Sequence, residues 1–317
     1  MTEALAPASA KLNRRVYAAS VLLAGIGLGN MQDAFLKDLS GAYPFHEMQT
    51  VRTGIGLALL FAIVSIKHGV RALVKHYSPV LMARGLFLGT GSMFFYLGLA
   101  AMTLADAVAL YFALPLIMVV LSGTVLGEKV KASHWVAAII GFIGVLIMLK
   151  PTTGLFEWAA LLPLTASIFY ALGNMFTRKV DVNVPPLITA TYAAFSFLLV
   201  AGLLSLIFGS GAFETDVHPS LAFLTRGWMM PRMQDAIVMV IVGLFTLTGF
   251  FAYAEAYRSA SPGFLGPFEY SAMVWAAGLG FLFFGDVPGT ATIIGSAIII
   301  GAGLYIALAE RGAKPND

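Results

Sequence analysis

The sequence predicts an all-α membrane protein whose ten transmembrane helices form two inverted five-helix repeats. Three observations carry this reading. The chain is 59% hydrophobic and only 11% charged, against roughly 25% charged in soluble domains. Its apolar residues fall into ten long runs. One half of the chain also repeats the other. Gly85-Leu86-Phe87 falls on Gly243-Leu244-Phe245, Thr90-Gly91 on Thr248-Gly249, Leu121 on Leu279 and Gly127-Glu128 on Gly285-Asp286, all at an offset of 158 positions without a gap. Gly29-Asn30-Met31 matches Gly173-Asn174-Met175 at an offset of 144. A longer polar loop near Gly209–Asp235 absorbs the difference. The consistent order of these matches indicates an internal duplication.

A span needs about 20 mostly apolar residues. The runs are 16–36, 46–66, 80–101, 104–125, 134–149, 157–178, 186–208, 235–257, 263–284 and 289–308. They divide the chain into a tail (1–15), a first repeat (16–149), a second repeat (150–308) and a second tail (309–317). Most connections are short, which suits antiparallel neighbours. The exception, 209–234, reads as an extramembrane loop with a short interfacial helix around Leu221–Trp228. The first apolar run lacks a small-residue cleavage site and reads as a retained helix rather than a signal peptide.

Lys and Arg set the orientation. With the N-terminus in the cytoplasm, only Lys37, Lys150, Arg226 and Arg232 lie outside and Arg52 lies within a helix; all the others of the 19 lie inside. This places both termini in the cytoplasm. The dispersed basic residues give no nucleic-acid footprint, so the expected partners are the lipid bilayer and a small molecule. Five spans is an odd number, so the second repeat must cross upside down. Inverted repeats place a substrate site near the midplane where the repeats meet.

The fourth span and its end, Ala105-Asp106-Ala107-Val108-Ala109-Leu110-Tyr111-Phe112-Ala113-Leu114-Pro115-Leu116 and then Leu126-Gly127-Glu128-Lys129, resemble the repeat of the drug/metabolite transporter superfamily. Gly266-Pro267-Phe268-Glu269-Tyr270 through Phe284-Gly285-Asp286 resembles the corresponding part of its EamA branch. The resemblance spans about 16–308. It implies ten helices, alternating access and a bacterial inner-membrane carrier, with exporters of neutral or aromatic amino acids as the favoured branch. Nucleoside-type or quaternary ammonium metabolites are the alternative. The proline of the second copy, Pro267, stands six residues before the position opposite Pro115, so the two helices are expected to bend at different depths.

Glu269 is a carboxylate inside a span and is expected to face a cavity or a partner. It can receive an amino group or carry a coupling proton. Asn30 and Asn174 are the matched polar pair of the repeat. They either bond helices together or offer both donor and acceptor to a zwitterion. Tyr96, Tyr111, Tyr170, Tyr253, Tyr270 and Trp275 are the aromatic candidates for the cavity wall, and Tyr170 shares a helix face with Asn174. Pro115 and Pro267 are candidate kinks. Asp33 and Lys37 are expected to pair along one helix, as are Glu255 and Arg258. Glu47 and Arg52 are poorly spaced to pair with each other. Asp106 suits a helix N-terminus, and Glu128 and Asp286 suit helix ends.

Other chemistries find little support. Gly25-Ile26-Gly27-Leu28-Gly29 has no strand before it and reads as close helix packing. The same reading applies to glycines of the fifth and tenth spans, which also suit contacts between copies in a homodimer. His46-Glu47 lacks the second histidine of a zinc-protease motif. There is no Walker loop, no cysteine and no cluster of acidic and histidine residues, so no cofactor or metal is expected and a membrane-embedded enzyme is the less favoured alternative. Because the chain lacks cysteine, single cysteines report sidedness. Ser210→Cys should react with an impermeant maleimide on intact cells and Lys75→Cys only after permeabilisation; the opposite pattern would reverse the orientation.

Overall fold

A computed structural model describes residues 8–124, 127, 130–149, 157–177, 179–181, 183–260 and 262–311. The described residues are helical with short connections. In order the helices are α1 (Ala8–Ser40), α2 (Phe45–Lys67), α3 (Arg71–Lys75), α4 (Pro79–Leu99), α5 (Leu104–Tyr111), α6 (Leu114–Thr124) and α7 (Ala132–Leu149). After a 3₁₀ turn, Trp158–Ala160, come α8 (Leu161–Thr177), α9 (Pro186–Phe208), α10 (Pro219–Thr225), α11 (Met233–Ser259), α12 (Pro262–Glu269), α13 (Ser271–Phe284) and α14 (Thr290–Arg311). Glu128, expected at a helix end, lies outside the described residues.

Among the described residues seven segments are long and apolar enough to cross a membrane: α2, α4, the stretch Leu104–Thr124 that joins α5 and α6, α7, Trp158–Thr177, α9 and α11. The hydropathy pattern predicts ten. The other three expected spans are helical but interrupted or diluted. Asn30, Gln32 and Asp33 sit within α1, α12 and α13 are separate short helices, and the apolar part of α14 is Thr290–Ile306. Large apolar side chains such as Ile139, Ile143, Leu203, Leu206, Phe281 and Leu282 are exposed on the outside of the bundle. A hydrocarbon solvent accepts them there, while each helix satisfies its own backbone.

Local sequence sets the helix ends. The Ser78 hydroxyl accepts from the Val80 N–H at 3.2 Å before Pro79 opens α4, and Thr103 accepts from the Asp106 N–H at 3.1 Å to cap α5. Both are favoured N-cap chemistries. Asp106 also accepts from Thr292 on α14 at 2.5 Å, so the expected capping carboxylate also ties the two repeats. Gly127 and Gly285, partners in the repeat, both take a left-handed φ, 66° and 69°. A side chain disfavours that geometry and glycine does not.

The principal helix contacts are unchanged when the halves are exchanged. α1 packs on α11 as α8 packs on α4; α4 packs on α9 as α11 packs on α2. α2 packs on its counterpart α9, and α7 on its counterpart α14. This is the contact pattern of a pseudo-twofold axis.

One end of the bundle is closed by polar contacts. Lys37 donates to the Met102 carbonyl at 2.7 Å and pairs with Asp286 at 3.2 Å. The expected Asp33–Lys37 pair does not form, because Lys37 reaches along the bundle end while Asp33 turns into the core. The 209–232 segment folds across this end. Arg226 donates to the Ser40 carbonyl at 3.1 Å, and buried Glu47 accepts from the Met229 N–H at 3.1 Å. The interfacial helix is α10, which starts and stops earlier than expected. Pro219 opens it behind His218, and at Arg226 the chain turns extended. At the other end Glu255 and Arg258 pair at 2.7 Å, as their spacing predicts.

The α7–α14 contact depends on glycine. A Cβ built on Gly144 lies 2.8 Å from the Gly295 carbonyl oxygen, and one on Gly295 lies 2.7 Å from the Gly144 oxygen. Gly144→Leu should therefore destabilise the detergent-purified protein by about 1–3 kcal/mol, the usual cost of overpacking. An unaltered thermal melt would show that α7 and α14 do not approach this closely.

Candidate functional site

The site begins with two broken helices. The α5–α6 break falls at Phe112-Ala113 and the α12–α13 break at Tyr270. Phe112 and Tyr270 are 158 positions apart, the offset of the repeat. The breaks therefore match, although the prolines do not. Pro115 stands second in α6, where a missing N–H costs little; Pro267 lies within α12, three residues before its break. Pro115 leaves the Tyr111 carbonyl without its intrahelical donor. The buried Ser167 hydroxyl on α8 supplies one at 2.9 Å, shared with the Pro163 carbonyl at 3.0 Å. The Phe112 and Tyr270 rings pack at 5.2 Å, so the two breaks touch.

A cavity of about 460 Å³ opens beside them, within the range of small-molecule sites. Equivalent residues of both repeats line it: Ile26 and Tyr170, Asn30 and Asn174, Phe95 and Tyr253, Tyr111 and Glu269, Leu114 and Ala272. The cavity thus sits on the pseudo-twofold axis. Of the residues the sequence nominates, Asn30, Tyr96, Tyr111, Tyr170, Asn174, Tyr253, Glu269 and Pro115 form its wall. Tyr270 does not; its ring lies on Phe112 and its hydroxyl against Gly303. Trp275 points elsewhere too. It covers Gly27 and remains 41% exposed on the outside of the bundle. Pro267 lies inside α12 and does not reach the cavity.

Sequence spacing missed the polar network behind the wall. Arg52 is 4% exposed. It donates to the Tyr96 hydroxyl at 2.8 Å and to Gln49 at 2.7 Å, and its guanidinium lies 4.8 Å from the centre of the Tyr96 ring. The Tyr96 hydroxyl donates to Asp33 Oδ1 at 2.8 Å and accepts from Gln32 at 2.8 Å. One proton given and two accepted saturate a phenol. Gln32 in turn accepts from Thr246 on α11. A half-buried acid and a buried base are thus joined through one hydroxyl in a network that spans α1, α2, α4 and α11. The available signal was on α1: Asn30 and Asp33 are three apart and share a face.

Two cavity groups keep bonding capacity. Asn30 donates to the Ile26 carbonyl at 3.0 Å, but its buried Oδ1 has no partner. Glu269 accepts from the Tyr257 hydroxyl. A carboxylate at the centre of a span costs on the order of 2.5–3.5 kcal/mol.

A second, largely apolar cavity of about 710 Å³ runs toward the open end, past Leu60, Leu88, Phe197 and Phe250 to Arg84 and Asp181. Tyr253 lines both cavities. Three hydrogen bonds cross the partition between them, Arg52–Tyr96, Thr246–Gln32 and Tyr257–Glu269. In each, one partner faces each cavity.

A cavity enclosed by equivalent residues of two repeats, inside a bundle with an apolar outer surface, defines a membrane transporter of small molecules. The EamA-like transporter family matches the chain twice, at residues 19–150 and 157–308, and the chain belongs to that family. It is 29% identical over 264 residues to a riboflavin transporter of Rhizobium johnstonii, covering 82% of this chain and 81% of the relative. It is 27% identical to an S-adenosylmethionine uptake transporter of Rickettsia prowazekii, over 78% and 77% of the two chains. It is 25% identical to a pseudopaline exporter of Pseudomonas aeruginosa, over 89% and 93%. A crystal structure with 18% identity shares the fold, with a TM-score of 0.63 over 94% of this chain and 100% of the other.

Removing the Tyr96 hydroxyl leaves Asp33 and Arg52 buried without their bridge. Tyr96→Phe should lower stability by about 1–3 kcal/mol. In a double-mutant cycle with Arg52→Gln, thermal denaturation should give a coupling of about 0.5–3 kcal/mol; strictly additive effects would mean that the hydroxyl does not join the two charges.

Proposed function

We propose that this chain is a secondary transporter that moves a small, ring-bearing metabolite by alternating access. Its ten helical stretches would cross a bacterial inner membrane as two inverted five-helix repeats, with both termini cytoplasmic. The observation that carries this reading is the cavity lined by five repeat-equivalent pairs. In an inverted-repeat carrier the site lies where the repeats meet and access alternates as one half rocks against the other. The closed end, the open second cavity and the exchange-symmetric packing support an arrangement with one end sealed. Lys37, Arg226 and Arg232 gather at the sealed end, and Lys67, Arg71, Lys75, Arg84 and Arg258 at the other, which supports a cytoplasmic opening.

The wall chemistry favours a substrate other than a plain neutral amino acid. Four tyrosines and two phenylalanines face the cavity with Asp33, Glu269, Asn30 and Asn174, and among the described lining residues there is no Lys, Arg or His. A zwitterion's carboxylate would find only neutral donors there. A flat heteroaromatic ring would find stacking partners, and a sulfonium or ammonium group would find carboxylates and ring faces. Relatives named for riboflavin and S-adenosylmethionine transport agree with this choice. It replaces the amino acid favoured by sequence resemblance with the nucleoside-like and cationic alternatives.

Counterflow in proteoliposomes tests the reading. Labelled S-adenosylmethionine or riboflavin should exchange against unlabelled substrate with saturation. Asn174→Ala should weaken apparent affinity about 2- to 10-fold, the effect of one hydrogen bond. Folded protein that carries neither compound above empty liposomes would remove this assignment.

A further inference from the structure

Charge accounting inside the bundle singles out Glu269. Asp33 is matched by Arg52 through the Tyr96 hydroxyl. Glu269 has only the neutral Tyr257 hydroxyl. Among the described residues no hydrogen bond or ion pair joins it to a cation. α1 faces it with Asn30 and Asp33, α5 with Tyr111, and α11 with Tyr253 and Tyr257. α13 has no charged residue, nor has α14 from Thr290 to Ile306. Arg15 lies over the Phe264 ring at 5.5 Å, more than a helical turn along α12, and Arg258 is exposed and paired with Glu255. An ionised Glu269 would leave a half-buried negative charge unmatched inside the bundle, which a membrane interior disfavours.

We propose that Glu269 holds a proton when the cavity is empty and releases it when a sulfonium or ammonium substrate binds, so that the carrier exchanges one proton for one substrate cation. This rests on the transporter reading above. The step balances: the neutral carboxylic acid and the cation give a carboxylate–cation pair, and the proton passes to water. The cation gains the Glu269 carboxylate, the Tyr111 and Tyr253 ring faces and the buried, unpartnered Asn30 Oδ1. Tyr257 gives the proton a path. Its hydroxyl bonds Glu269 and its side chain lines the second cavity, which runs toward the open end. The same phenol accepts from the protonated acid and donates to the carboxylate. Asp33 already bonds through the Tyr96 hydroxyl to Arg52, so the acid without a cationic partner is Glu269.

The test is isothermal titration of the full-length, detergent-solubilised protein with S-adenosylmethionine and, as a neutral control, with riboflavin. Two buffers of different ionisation enthalpy, near pH 6, convert the heats into protons released. Close to one proton per S-adenosylmethionine and none per riboflavin is expected. Asp33→Asn, if folded, should keep the release, and so should Glu269→Asp; Glu269→Gln should abolish it and bind the cation at least 10-fold more weakly. In liposomes an acidic interior should accelerate wild-type S-adenosylmethionine uptake. Binding with no proton release, or release that persists in Glu269→Gln, overturns the proposal while counterflow keeps the transporter reading intact. Binding of riboflavin alone also overturns it. Loss of counterflow for both compounds in folded protein would instead remove the transporter reading itself.

Discussion

A charge inside a membrane protein must be neutralised by the protein itself, and here one phenol hydroxyl does so. Tyr96 gives its proton to Asp33 and accepts from Arg52 and Gln32. Asp33 is on α1, Arg52 on α2 and Tyr96 on α4, and Gln32 extends the network to Thr246 on α11. Four helices, three from the first repeat and one from the second, are held by groups that have no water to turn to. Polar networks of this kind favour one arrangement of the helices, although the buried Arg52 Nε has no partner of its own. The partition between the two cavities follows from it, because the hydrogen bonds that satisfy the charges also close the wall.

The two halves are related by symmetry, but the chemistry they bring to the cavity is not. Asn30 and Asn174 are identical partners, whereas Tyr111 faces its equivalent Glu269 and Phe95 faces Tyr253. A duplicated scaffold thus presents one charged and one neutral group at the same position of the repeat. The backbone breaks obey the symmetry that the side chains abandon. Matching breaks at Phe112 and Tyr270 arise from prolines at unmatched positions, because Pro115 starts the helix after its break and Pro267 weakens the helix before its own. Access and recognition are separable in such a design: the symmetric backbone governs access, and the few asymmetric side chains govern what binds.

Much of this was legible in the sequence. Hydropathy located the long helical stretches, and the offset of 158 matched Gly127 with Gly285, which the structure shows in the same left-handed geometry. The misses share a cause: spacing rules see one helix at a time. Asp33 and Lys37 are four apart, yet each bonds to a different helix or loop. Arg52 is poorly spaced for Glu47, and its partners are Gln49 on its own helix and Tyr96, 44 residues away. Tyr270 and Trp275 are close to Glu269 in sequence, but the break at Tyr270 turns the chain so that neither side chain faces the cavity. Proline position is likewise an imperfect guide to a break, since the residue can lie on either side of it. Local pattern reads the helices well and reads long-range polar partners poorly, because those depend on the bundle that the pattern has yet to build.

The central claim is that one half of the bundle rocks against the other, so that closing one end opens the opposite one. Spin labels on the cysteine-free chain test this directly. One pair, at Asp181 and Arg258, spans the mouth of the open cavity; the other, at Phe213 and Val287, lies on the sealed end. Both distances should be measured by double electron–electron resonance in lipid, with and without S-adenosylmethionine or riboflavin. The account predicts reciprocal populations, with a shorter Asp181–Arg258 distance appearing together with a longer Phe213–Val287 distance. Two fixed distances in labelled protein that still carries substrate would contradict it.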